Sequence, residues 1–181
     1  MTYPSFTSGE VLTAADMNAV GLWLVKTQTV GTAVSSVQVT DAFSSTYNNY
    51  IITWVDGTCS ASASMTLTLG ASATGYYQFL NYGAVTASTP LGAGRNNAAS
   101  WAWVGGATAG QAGHVRCDVF GPNLARYTKL IGGPYQNDNA YGTTVGEHRV
   151  ATAYTAFTLA PDSGTMTGGT IRVYGYKNGI S

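Results

Sequence analysis

Ser64-Met-Thr-Leu-Thr-Leu69 alternates strictly, with Met65, Leu67 and Leu69 on one parity and polar residues on the other. Successive side chains of a strand point to opposite faces, so the pattern predicts a strand with one buried face. His114-Val-Arg-Cys-Asp-Val119 repeats it, with Val115, Cys117 and Val119 inward. Val37 and Val39 alternate in Ser36–Thr40, Phe157 and Leu159 mark another strand, and Thr170–Tyr176 marks the last. Tyr50-Ile-Ile-Thr-Trp-Val55 is apolar on both parities, as expected of a central strand covered on both sides. Arg126–Ile131 is a less regular strand of the same kind.

Glycine and proline punctuate these runs. Asp56-Gly57, Gly105-Gly106, Gly121-Pro122, Gly132-Gly133-Pro134, Asp162-Ser-Gly164 and Gly168-Gly169 read as turns. Residues 86–97 and 134–141 read as long surface loops. Many short strands without alternating helices predict an all-β, antiparallel β-sandwich of jelly-roll type over residues 25–181.

Composition agrees. The 181 residues are 45% hydrophobic but only 9% charged, against about 25% charged in an ordinary domain. Thr, Ser, Ala and Gly fill the difference. Aromatic content of 12% and hydrophobic content of 45% argue against disorder. The net charge of zero and the scattered Arg116, Arg126, Lys129, Arg149, Arg172 and Lys177 provide no basic stripe, so nucleic acid is not an expected partner. Cys59 and Cys117 are too few for a disulfide scaffold; Cys117, alternating with valines, reads as a buried thiol. No signal-peptide pattern and no apolar run of roughly 18 residues is present, so the expectation is a cytoplasmically made chain that does not span a membrane.

The one helix signal lies near the start. Thr13 and Asp16 form a variant capping box, Leu12 and Met17 a hydrophobic staple, and Met17, Val20 and Leu24 recur at helical spacing beside Trp23. Residues 1–24 therefore form an expected N-terminal segment with a short helix, too short to be stable alone.

Catalytic and metal-binding patterns are missing. His114 shares a strand parity with Arg116 and Asp118, and His148 in Gly146-Glu-His-Arg149 reads as part of a polar patch at a strand end. Neither histidine has metal-ligand spacing. Asp16 suits a helix cap; Asp41, Asp56, Asp138 and Asp162 suit turns or loops; Glu10, Asp118 and Glu147 are left without an evident pairing for glycoside chemistry. No phosphate-binding loop is present, and no cofactor or catalytic residue is assigned. The aromatics are the better candidates for a receptor or subunit contact: Tyr76, Tyr77, Tyr82, Trp101, Trp103, Tyr135 and Tyr141. Such rings stack on sugars and anchor protein interfaces, or fill a core. Trp101 and Trp103 are expected on one strand face.

The run Gly9-Glu-Val-Leu-Thr-Ala-Ala-Asp-Met-Asn18, within Phe6–Asn18, resembles the N-terminal segment of tailed-phage virion proteins of the minor tail protein, tail fibre and head fibre type. Val30–Val37, Asp41–Tyr50, Thr74–Tyr77 and Gly169–Tyr176 are similar to the same group. The resemblance implies a virion component assembled in a host cytoplasm. It also implies a homotrimer contacting other phage structural proteins. Phe6, Val11, Leu12, Met17 and Val20 are the matched docking positions. Because the strand-rich region follows at once, a short knob on the tail or capsid surface is expected rather than a long fibre. A host surface glycan is its expected external contact; a free lectin-like, carbohydrate-binding module is the alternative.

Overall fold

The computed structural model describes residues 9, 11, 21–87 and 89–177. None of these residues is helical. Twelve strands follow one another: β1 (Leu22–Thr29), β2 (Val37–Val39), β3 (Tyr47–Cys59), β4 (Ala63–Leu69), β5 (Tyr76–Ala84), β6 (Pro90–Ala98), β7 (Trp101–Ala107), β8 (Ala112–Phe120), β9 (Thr128–Gln136), β10 (Ala140–His148), β11 (Phe157–Pro161) and β12 (Met166–Lys177). Every pairing between these strands is antiparallel.

The ladders form three limbs that meet at β8. One edge of β8 carries β3, then β12 and β1. The opposite edge is shared. Val115 and His114 pair with Gly105 and Gly106 of β7, which continues to β4, β11 and β2. Cys117 to Phe120 pair with Gly132 to Lys129 of β9, which continues to β10, β5 and β6. A single core joins the limbs: Tyr50, Ile52 and Trp54 of β3, Ile171 and Val173 of β12, and Val115, Cys117 and Val119 of β8 pack with Met65, Leu67, Leu69, Trp101, Phe157 and Leu159. The alternation in residues 64–69 and 114–119 thus predicted the core face, and Cys59 and Cys117 are buried free thiols within it.

Several expected turns are instead places where strands approach closely. A side-chain carbon on Gly105 would lie 2.1 Å from the His114 carbonyl oxygen, and one on Gly106 2.0 Å from that of Gln136. Glycine there lets β8 split its edge between two limbs. Asp56-Gly57 is a bulge inside β3, with Asp56 at φ 61°. The Trp54 indole fills the space beside Gly57 and donates from Nε1 to the Gly168 carbonyl at 3.3 Å. Gly132-Gly133-Pro134 lies within β9, and Gly168-Gly169 within β12. Gly121-Pro122 and Asp162–Gly164 do separate strands, as expected.

The two expected loops are also mostly strand. Most of residues 86–97 belongs to β6, whose glycines accept the Phe79 ring from β5 over Gly92. Residues 134–141 are the ends of β9 and β10 around a three-residue connection, in which Asn137 Oδ1 accepts from the Asn139 and Ala140 amides at 2.9 and 3.1 Å. A paired neighbour supplies the ladder that these weakly β-forming residues do not favour by themselves.

The N-terminal boundary moves as well. Leu22, Trp23 and Leu24 pair with Tyr176, Gly175 and Tyr174, so the strand region begins before residue 25, and Leu24 belongs to an edge strand rather than to a helix. The rest of the expected helix, residues 12–20, and the docking positions Phe6, Leu12, Met17 and Val20 lie outside the described residues. Val11 is described and exposed.

Candidate functional site

The seven aromatic candidates fall into three environments. Tyr76 and Trp101 are buried in the main core, packed edge to face at 5.1 Å. The Tyr76 hydroxyl accepts from the Leu69 amide at 2.7 Å and donates to the Ser72 carbonyl at 3.3 Å. Burial pushes its pKa up to about 12. These two rings are therefore structural and are not surface contacts. Tyr77 is half-buried on the opposite face of β5, with the Arg149 guanidinium 4.7 Å from its ring centre.

Tyr82, Trp103 and Tyr135 gather instead around a second, smaller cluster built on Leu80, Tyr135 and Ala140. Tyr135 is buried, with its hydroxyl 3.2 Å from Ser64 Oγ and accepting from Asn137 Nδ2 at 2.8 Å. Trp103 does not share a face with Trp101. Five residues of β7, Trp101 to Gly105, span what three residues of β4 span, Leu67 to Met65. Trp103 takes up the excess at φ 57°, a conformation that a bulky side chain rarely adopts. Its ring leaves the main core for the second cluster, where Arg95 lies 5.2 Å from the ring centre.

Gln78 holds this bulge. Its side-chain amide acts as a piece of strand: Nε2 donates to the Ala102 carbonyl at 3.0 Å, and Oε1 accepts from the Ala102 amide at 2.6 Å. Gln78 is buried. Nothing in the sequence reading singled it out, although the parity Tyr76, Gln78, Leu80 would have placed it inward.

Tyr82 and Tyr141 come together at the far end of the third limb, where Tyr82 pairs with Gly142 and Tyr141 with Gly83. With Asn81, Thr89, Pro90 and Thr143 they line a surface groove of about 280 Å³. None of its lining residues is charged. An aromatic ring beside hydroxyl and amide groups can stack on a neutral polar ring and hydrogen-bond its edge. Asn81, Thr89, Pro90 and Thr143 were not expected from sequence, because β6 read as a loop and its contact with β5 is a tertiary fact.

His148 needs correction. The surface patch at the end of β10 consists of Glu147, which pairs with Lys129 at 2.9 Å and Arg149 at 2.8 Å. His148 itself points inward, fully buried against Tyr76, Trp101 and Tyr154. Its Nε2 lies 2.9 Å from Ser72 Oγ and 3.1 Å from the Thr74 carbonyl oxygen. Burial holds the His148 pKa below its ordinary value, opposed by the hydrogen bond to Thr74. His114 is half-exposed on its strand, as expected, with Nε2 2.8 Å from the Pro134 carbonyl oxygen.

Two of the three unpaired carboxylates have separate partners, and the third, Glu10, lies outside the described residues. Asp118 accepts from the Tyr176 hydroxyl at 2.5 Å, and Glu147 is committed to its two cations on a strand beyond β9. Among the described residues no group of three or more His, Cys, Asp and Glu could hold a metal ion. No protein-family model matches the chain, and no curated protein matches it in sequence.

Proposed function

We propose that this chain is a structural subunit on the surface of a phage particle, a fibre-like or decoration protein of the tail or capsid. Residues 1–20 attach it, and its β-domain faces outward. The observation that carries this reading is the run Gly9–Asn18, whose pattern of Val11, Leu12 and Met17 resembles virion docking segments. We read the β-domain as a sandwich of jelly-roll type. In support, β3, β8 and β12 bury one face against residues of β4, β7 and β11. Such a domain needs no chemistry to stabilise a lattice or to touch a host surface.

The test is the purified particle. Mass spectrometry of virions from the phage that encodes the chain should find it, and imaging should place the β-domain at the surface. Deleting residues 1–20, which spares β1, should abolish incorporation while circular dichroism still reports a strand-rich fold. Normal incorporation of the deleted chain would refute attachment through this segment.

A second reading, a carbohydrate-binding module, is favoured by the uncharged groove holding Tyr82 and Tyr141. Glycan-array binding by the isolated protein, lost in Tyr141→Ala, would favour it.

A further inference from the structure

His148 sits at the seam between the second and third limbs. The chain crosses that seam between β4 and β5 through residues 70–75, and between β10 and β11 through residues 149–156. Both connections meet at the His148 ring. Ser72 Oγ and the Thr74 carbonyl oxygen, which flank Nε2, belong to the first connection. Tyr154, from the second, packs edge to face on the ring at 5.4 Å, and Tyr76 lies against it at 4.2 Å. The connections also hold each other. The Arg149 amide donates to the Gly75 carbonyl at 2.8 Å, and the Gly70 amide to that of Ala156 at 2.9 Å. A side-chain carbon on Gly75 would lie 2.8 Å from Val150 and 3.6 Å from His148 Nε2, so the packing there has no slack.

This seam suits the ring only in its neutral form. His148 is fully buried, and among the described residues its Nδ1 has no hydrogen-bond partner. A neutral imidazole can leave one nitrogen bare, but a protonated ring donates from both. A buried, charged N–H without an acceptor is costly. The titratable groups that face the ring are the phenols of Tyr76 on β5 and Tyr154, neither of which supplies a negative charge at neutral pH. Trp101 of β7 packs at 6.1 Å, and Thr128 of β9 stands opposite His148 in register. Glu147 and Arg149, the chain neighbours of His148, pair with each other on the outer face, Glu147 also with Lys129. Glu147 is thus committed elsewhere and does not meet a cation inside.

We propose that His148 is an acid-released latch. When the ring takes a proton, residues 70–75 and 149–156 come away together. The second and third limbs then part at this end and bare Tyr76 and Trp101. The ladders that join β3 to β8 and β12 carry none of these bonds and stay closed. This goes beyond both readings of function, since it depends on neither a particle nor a glycan. The open form takes the proton at the ordinary value of 6.5 and the closed form only below it. Opening therefore grows by up to about tenfold for each pH unit below 6.5.

The test is amide hydrogen exchange of the purified full chain between about pH 7.5 and pH 5, corrected for the intrinsic exchange rate. Glu147, held below the usual carboxylate range, stays charged over this interval. The amides of Gly70, Arg149 and Tyr154, each bonded to a distant residue, should lose protection toward acid. Those of the β3–β12 ladder should keep it. His148→Gln and His148→Phe can take no proton at this position, and whichever folds should protect the three amides independently of pH. Flat protection in the native chain, a loss shared equally by the β3–β12 ladder, or the same loss in a folded variant would overturn the proposal.

Discussion

The main core and the third limb are built on different principles, although one sheet contains both. Around β3, β4, β8, β11 and β12, large apolar side chains alternate with polar ones, and the inward set is buried almost without exception. Along β5, β6, β9 and β10 the inward set includes Gln78, Thr128 and Thr144, and the outward set includes Phe79, Ile131, Val145 and Tyr141. The first region specifies itself by burying hydrocarbon. The second is held by its ladders, by the Gln78 amide and by a cluster of three buried residues. The regions also differ in what they expose. The groove and the exposed Phe79, Val145 and Ile131 lie on the third limb, where side chains are released from core packing.

Substitutions can break or sharpen this contrast. The largest effect is expected from Trp101→Ala, which empties a fully buried site against Tyr76 and His148 and should cost about 3–5 kcal/mol in urea unfolding. Trp103→Ala should cost much less, because its ring is only partly buried in the small cluster. Equal losses would show that the two rings share one core after all.

Gln78→Ala should cost about 2–4 kcal/mol, since it strands the buried amide and carbonyl of Ala102. Intrinsic fluorescence should report a changed Trp103 environment. A neutral result would mean that the bulge holds itself.

Acidification tests the boundary between the regions at His148. Its folded pKa is depressed, so the stability it contributes is fully present above its ordinary value of 6.5 and is lost as pH falls through the depressed value. Urea midpoints measured from about pH 7.5 down to pH 5 should decline in the native chain and flatten in His148→Gln. Glu147, whose carboxyl the Lys129 and Arg149 hydrogen bonds hold below the usual carboxylate range, loses its contribution at lower pH still. An identical slope in both proteins would remove His148 from the account.

The smallest effect belongs to the surface pair. Glu147→Gln should change stability by less than about 1 kcal/mol, because Lys129 and Arg149 are well exposed and solvent screens both bonds. A larger loss would show that the outer face of the third limb is more tightly ordered than its exposure suggests.

The candidate site was less legible in the sequence than the fold. The seven aromatics were visible as a class, but their division between core and surface was not. Tyr76 and Tyr77 are neighbours with opposite fates because strand parity separates them, and Gly75 marks where that parity begins. That Tyr82 and Tyr141 both line one groove depends on the register between β5 and β10, which sets Tyr82 opposite Gly142 and Tyr141 opposite Gly83.

Sequence by itself determined the strand character and the inward parity of residues 64–69, 114–119 and 157–159, since period-two burial of hydrocarbon leaves a local trace. It also determined the sparse charge and the absence of a metal-ligand motif. Only the tertiary structure decided that Gly105-Gly106, Asp56-Gly57 and Gly168-Gly169 lie within strands, that β6 is a strand, and that His148 is buried. A glycine required by an approaching backbone looks, along the chain, the same as a glycine required by a turn. What distinguishes them is the atom on the other side, and that atom belongs to a distant residue.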